Sequence, residues 1–203
     1  MIGLDDQEYD SLVADLDDLI SNQMAPQILG WSLDVAELLT LQSCPSPESR
    51  LRLVLKVIEG AKRNSHRLHP SDFYILEQLC KDVEIECPIQ PSESDDDRTV
   101  GFEESLAGKK IAIYTLVEPA GQRAAAVLKK LCTSVEVELN YDHECTESLA
   151  NLARSADLFV FAWKSSKHQA FFCIKKYRDS EKPLLQPLGK GASSILRSVL
   201  EFS

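Results

Sequence analysis

An α/β fold is predicted for the C-terminal half of this chain by two observations. Between Lys109 and Ser203 four apolar runs alternate with four helix-patterned segments, in the order strand, helix, strand, helix. Each run is apolar almost without interruption, as strands buried on both faces are. Helical periodicity over residues 1–87 adds a small all-α domain in front. The expected architecture is therefore α/β: a Rossmann-like four-stranded parallel sheet of order 2-1-3-4, flanked by helices and preceded by a helical bundle. The expected division is 1–87 helical, 88–105 acidic linker and 106–203 α/β.

In chain order, Leu12, Val13, Leu16, Leu19 and Ile20 share one helical face, opposite Asp10, Asp15, Asp17 and Asp18. Such an acidic amphipathic helix presents a solvated face, or docks on a basic partner. Ile28 to Leu41, with Trp31, Val35, Leu38 and Leu39, forms a second helix. Ser46 as cap and Pro47 in the first turn start a third, carried by Leu51, Val54, Leu55, Ile58 and Ala61. After a polar loop, Lys62 to Pro70, a fourth runs from Ser71 to about Lys81. Pro88 to Arg98 has linker composition: prolines, serines and an acidic run without aromatic residues.

The strands come next: Ile111 to Val117, Val135 to Leu139, Leu158 to Trp163, and Leu184 to Leu188. Ala120, Ala124, Val127, Leu128 and Leu131 mark the helix after the first. Leu149, Leu152, Ala153 and Ala156 mark the next, and Ala170, Ile174 and Tyr177 the third. Ile195, Leu196, Val199 and Leu200 give the last helix its apolar side. Right-handed crossovers bring every strand to the same sheet edge, and ligands of open α/β sheets bind outside that carboxyl edge, where strand order reverses. The loop after the first strand carries Glu118, Gln122 and Arg123. Ser165, Ser166, Lys167 and His168 come after the third, with the serines placed to cap a helix whose first N–H groups face an anion. Gly189, Lys190, Gly191, Ser193 and Ser194 open the last helix. These residues form the expected ligand rim; the identity of ligand and cofactor is unknown from them.

Three sets of residues carry a resemblance. Ala-Asp-Leu-Phe-Val-Phe (Ala156 to Phe161), Ser-Lys-His-Gln-Ala (Ser166 to Ala170) and Gly-Ala-Ser-Ser-Ile-Leu (Gly191 to Leu196) resemble a bacterial Rossmann-like domain family of unknown function, over roughly the last half of the chain. The resemblance implies a fold and a site region, and no activity. It also implies an association, because relatives are fused to other domains or encoded near mobile-element and phage-defence genes.

Composition bounds the function. A chain of 203 residues holds one domain or a domain plus a smaller one, and its 44% hydrophobic content is ordinary for a globular protein. Residues 1–105 hold 22 acidic and 8 basic side chains, whereas 106–203 hold 10 and 14, so the halves carry −14 and +4. A pI near 4.9 argues against general nucleic-acid binding, with only the C-terminal rim exempt. No apolar run spans a bilayer, and Met1 to Asp18 has seven acidic and no basic residues, unlike a signal peptide; the expected location is cytoplasmic. Cys44, Cys80, Cys87, Cys132, Cys145 and Cys173 show no tight spacing, so free thiols are expected.

Catalytic patterns are sparse, and the chain is read as a non-enzyme with no catalytic residue and no metal site assigned. Gly189-Lys190-Gly191 lacks the Walker spacing, and Gly189-x-Gly191-x-x-Ser194 follows the last strand, with no later strand to supply a ribose-binding acid. Ser165 and Ser166 lack the Gly-x-Ser-x-Gly elbow. The Asn140 to Cys145 loop and His66-x-x-His69 show no recognised metal spacing. The expectation is a regulatory or adaptor protein with an anionic or nucleotide-like ligand and a protein partner on its helical domain. Two alternatives accompany it: an enzyme acting on a phosphorylated or nucleotide substrate through His168, and a structural subunit of a phage-defence assembly.

Overall fold

The structure, a computed structural model, describes residues 5–22, 26–40, 47–89 and 101–202. The chain divides into two compact units, Met1–Asp95 and Asp96–Ser203. The first holds α1 (Asp6–Asn22), α2 (Pro26–Thr40), α3 (Pro47–Arg63) and α4 (Pro70–Asp82), with a 3-10 turn at Ser65–Arg67. Tyr9, Leu16, Ile20, Leu33, Leu53, Leu76 and Leu79 fill its core.

Two apolar faces are rotated from expectation. Leu12 and Trp31 are exposed, while Tyr9 of α1 and Leu33 and Ala36 of α2 are buried. Both helices carry more apolar residues than one stripe holds, so periodicity alone did not choose the buried stripe. Leu12, Leu16, Leu19, Trp31 and Val35 instead line a groove of about 460 Å³ with Asp15 and Asp18. The α4 cap is His69: its ring accepts from the Ser71 N–H at 3.4 Å, and its own N–H donates to Asp72 at 2.9 Å. Ser46, expected to cap α3, lies outside the described residues.

Residues 90–100 of the expected 88–105 linker lie outside the described residues, and its last residues are folded. Residues 101–106 are helical (α5), Leu106 is buried, and the Glu103 carbonyl accepts a contact from the Cys132 thiol at 3.6 Å. β1 (Lys110–Tyr114), α6 (Glu118–Leu131), β2 (Glu136–Asn140), α7 (Glu147–Ser155), β3 (Leu158–Phe161), α8 (His168–Tyr177), β4 (Leu184–Leu185) and α9 (Ala192–Phe202) complete the unit, with a 3-10 turn at Trp163–Ser165.

The sheet is parallel throughout, in the order β2-β1-β3-β4, as the sequence predicts. Ile111 faces Val137 on one side and Leu158 on the other, and Phe159 faces Leu184. Only the central strands are buried on both faces. At the edges, Glu136 of β2 is exposed and both residues of β4 are half-buried, so four continuous apolar runs overstated the burial of two. Leu188, at the end of the fourth run, is 81% exposed. α7 and α8 pack together over Ala112, Tyr114, Phe159 and Phe161, and α6 packs on α9.

Two devices hold the α7/α8 side. Arg178 comes directly after α8 and donates to the carbonyls of Ala153 (3.2 Å), Ala156 (3.1 Å), Asp157 (3.0 Å) and Pro183 (2.6 Å). It thereby satisfies the open carbonyls ending α7 and ties them to the segment entering β4. Burial lowers its pKa from the ordinary arginine value. The second device corrects the expectation of free thiols: Cys145 and Cys173 form a disulfide with Cα atoms 5.3 Å apart. The two are 28 residues apart in sequence, and only the packing of α8 beside α7 brings them together. Cys80, Cys87 and Cys132 are free.

Candidate functional site

The carboxyl edge is built from the loops after β1, β2 and β3. β1 stops at Tyr114, and Thr115 turns the chain toward α6. The Thr115 hydroxyl accepts the Val117 N–H at 3.1 Å and lies 3.0 Å from the Ser165 hydroxyl, which is 3.2 Å from the Ala162 carbonyl. One proton arrangement satisfies all three contacts: Thr115 donates to Ser165, and Ser165 donates to Ala162. The Leu116 N–H also donates to the Ser165 carbonyl at 2.8 Å, so the loops after β1 and β3 are stitched together.

That stitch changes the expected role of the serines. Ser165 is committed to Thr115 and Ala162, and the Ser166 hydroxyl donates to the Trp163 carbonyl at 2.8 Å. Neither caps α8. A 3-10 turn intervenes, and Lys167 takes the N-cap position without a side-chain cap bond. Lys167 and His168 are exposed at the start of α8, and Lys190 is exposed before α9. Among the described residues their side chains make no hydrogen bond or ion pair. Gly191 and Ser193 are buried, and Gly189 and Ser194 half-buried. Arg123 is half-buried on α6, and Glu118 opens that helix with its carboxylate accepting from Gln122 at 3.0 Å. Arg123 and the start of α9 thus belong to one side of the sheet, and Lys167 and His168 to the other.

The loop after β2 is a structural turn. The Asp142 carboxylate accepts from Asn140 at 2.8 Å and from the Thr146 hydroxyl, which itself caps α7 by accepting the Leu149 N–H at 3.1 Å. Those two donors, Thr146 first, hold the Asp142 carboxyl below the usual carboxylate range. Tyr114, fully buried, donates to the Asp142 carbonyl at 2.8 Å, and burial raises its pKa. No group of three or more His, Cys, Asp or Glu able to hold a metal occurs among the described residues.

Sequence reasoning missed Tyr141. Its hydroxyl is buried and makes no hydrogen bond among the described residues. Burial, then the Glu118 charge, raise its pKa. The ring lies against Gly121, where an added Cβ would meet Tyr141 Cε1 at 3.4 Å and Thr115 Cγ2 at 3.0 Å. The absence of a side chain lets the first turn of α6 approach the end of β1 this closely. The available signal was Gly121 in that turn, which periodicity alone ignores.

A family model described as DpdD-like matches residues 1–198. The chain belongs to the DpdD-like family. The match runs through both units, whereas the resemblance drawn from sequence motifs covered only the C-terminal half. No curated protein matches the chain. Among the described residues no helix is long and apolar enough to cross a membrane.

Proposed function

We propose that this member of the DpdD-like family is a non-enzymatic regulatory or adaptor protein. Its Rossmann-like unit binds a small anionic, nucleotide-like ligand at the carboxyl edge of the sheet, and its helical unit holds a protein partner. The observation that carries the first part is the Tyr141 hydroxyl, a buried donor with no acceptor among the described residues, at the edge where α/β sheets take ligands. A ligand oxyanion supplies that acceptor. Lys167, His168 and Lys190 supply charge, Arg123 adds to it from α6, and the turn from Gly189 to Ser194 allows close backbone approach. Binding is favoured over catalysis because Ser165 and Ser166 are committed to neighbouring groups, and His168 has no orienting partner among the described residues.

The second part rests on the α1/α2 groove, whose apolar floor and acidic lip fit a basic amphipathic helix. Family membership favours one further reading, a subunit of a phage-defence assembly, which the same edge and groove would serve. Melting curves of the full chain with inorganic phosphate, pyrophosphate and ATP as probes test the ligand site. At least one probe raises Tm, and Lys167→Ala with Lys190→Ala cancels the rise; no shift with any probe rejects the anion site.

A further inference from the structure

In a chain of net charge −10, no acidic residue occurs between Asp157 and Asp179, a stretch that holds Lys164, Lys167, Lys175 and Lys176. It also holds two exposed aromatic residues: Phe172 on α8 is 67% exposed, and Trp163, in the 3-10 turn before it, 48%. On α8 the buried side is Ala170, Cys173 and Ile174. Helical spacing then sets Phe172 in the middle of the outer stripe, with His168 and Gln169 one turn before it and Lys175 and Lys176 one turn after. The lysines lie near rings: Lys175 is 5.9 Å from the Phe171 centroid, Lys176 5.0 Å from Tyr177, and Lys164 5.5 Å from Trp163. Phe171 is braced against Phe161 and contacts Phe172 edge-on, with centroids 6.0 Å apart, so the outer ring stands on a fixed aromatic base.

We infer that the outer face of α8 is a binding surface for single-stranded nucleic acid, with an unpaired base stacking on Phe172 and the adjoining phosphates meeting Lys175 and Lys176. Stacking on exposed rings with cations alongside is how sequence-tolerant single-strand binders work. A duplex keeps its base faces covered and leaves Phe172 unused. An acidic peptide satisfies the lysines and leaves the ring in water. A membrane surface needs a wider apolar face than one phenyl ring between charged turns. The acidity of the whole chain does not prevent this, because exposed charges more than about 10 Å away are largely screened at 0.1 M salt. The inference is independent of the anion site, since Phe172, Lys175 and Lys176 lie outside the rim.

Fluorescence anisotropy of the full chain with a labelled oligothymidylate, in rising salt, tests it. The expected result is salt-sensitive binding, tighter than to a duplex of equal length. Phe172→Ala weakens it about tenfold. The Lys175→Ala/Lys176→Ala variant lowers the slope of log affinity on log salt by about 1.4. Lys129→Ala, on the exposed side of α6, behaves as wild type. All these side chains are exposed, so unchanged melting curves certify folded variants. Absent binding at low salt, equal affinity of Phe172→Ala, or tighter binding of duplex would overturn the inference. So would polyglutamate or phosphatidylserine vesicles binding where oligothymidylate does not. A chain that fails the phosphate, pyrophosphate and ATP probes yet binds oligothymidylate through Phe172 loses the small-ligand reading and keeps this one.

Discussion

The hydroxyls of Thr115 and Ser165, fifty residues apart in sequence, lie 3.0 Å from each other at the carboxyl edge of the sheet. The contact links the Val117 N–H to the Ala162 carbonyl through two side chains and fixes the loop after β1 against the loop after β3. The two loops that flank the reversal of strand order are thereby joined side chain to side chain. Thr115→Val keeps the shape, removes the donor and leaves the Val117 N–H without its acceptor. Unfolding free energy should fall by about 1–2 kcal/mol. In a double-mutant cycle with Ser165→Ala the two changes should fail to add by at least about 0.5 kcal/mol. Additive effects in urea unfolding would mean that the seam is not one unit.

Arg178 cross-links the α7/α8 side through four backbone carbonyls. Arg178→Met retains much of the apolar stem and abandons four carbonyls. The expected loss is about 3 kcal/mol or more, read from the chemical-denaturation midpoint of the full chain. A loss below about 1 kcal/mol would show that the carbonyls find other donors.

The contrast between these two cross-links and the sheet shows what one sequence discloses. Strand order came from the alternation of apolar runs with helical patterns, because crossover handedness leaves few arrangements. Thr115, Arg178 and the Cys145–Cys173 pair were not legible, because each acts through a residue far away in sequence. The serines were misplaced by a similar cause. Ser-Ser before a helix is ordinarily a cap, but here a 3-10 turn from Trp163 to Ser165 takes both hydroxyls before α8 begins. Burial of the rim could not be read either: Lys190 is exposed and Ser193, three positions on, is buried, a difference set by α9 packing on α6.

Asp142 gives the fold a pH dependence of known sign. Its folded pKa lies below the ordinary value of 3.8, so the folded state binds fewer protons than the unfolded chain between the two values. The contribution is complete above pH about 4 and fades as pH falls through the depressed value. Asp142→Asn should flatten this part of the acid limb in melting curves taken between pH 5 and about pH 2. An unchanged acid limb in the variant would mean that Asp142 binds its proton alike in the folded and unfolded chain.

Thiol chemistry separates the cysteines. Under denaturing, non-reducing conditions Cys145 and Cys173 should resist alkylation until a reductant is added. In the native state Cys80 should also react slowly, because burial, and then Cys87 beside it, push its thiol up to about 12. Peptide mapping that finds Cys145 alkylated before reduction would show the bridge open in solution.

The carboxyl edge of the parallel sheet is proposed to hold a small anion. Native mass spectrometry of the full chain, purified gently from the cells that naturally produce it, tests that most directly. The wild-type chain should carry a small-molecule adduct that the Lys167→Ala/Lys190→Ala variant, prepared in the same way, has lost. A bare wild-type chain, or the same adduct on both proteins, would contradict it.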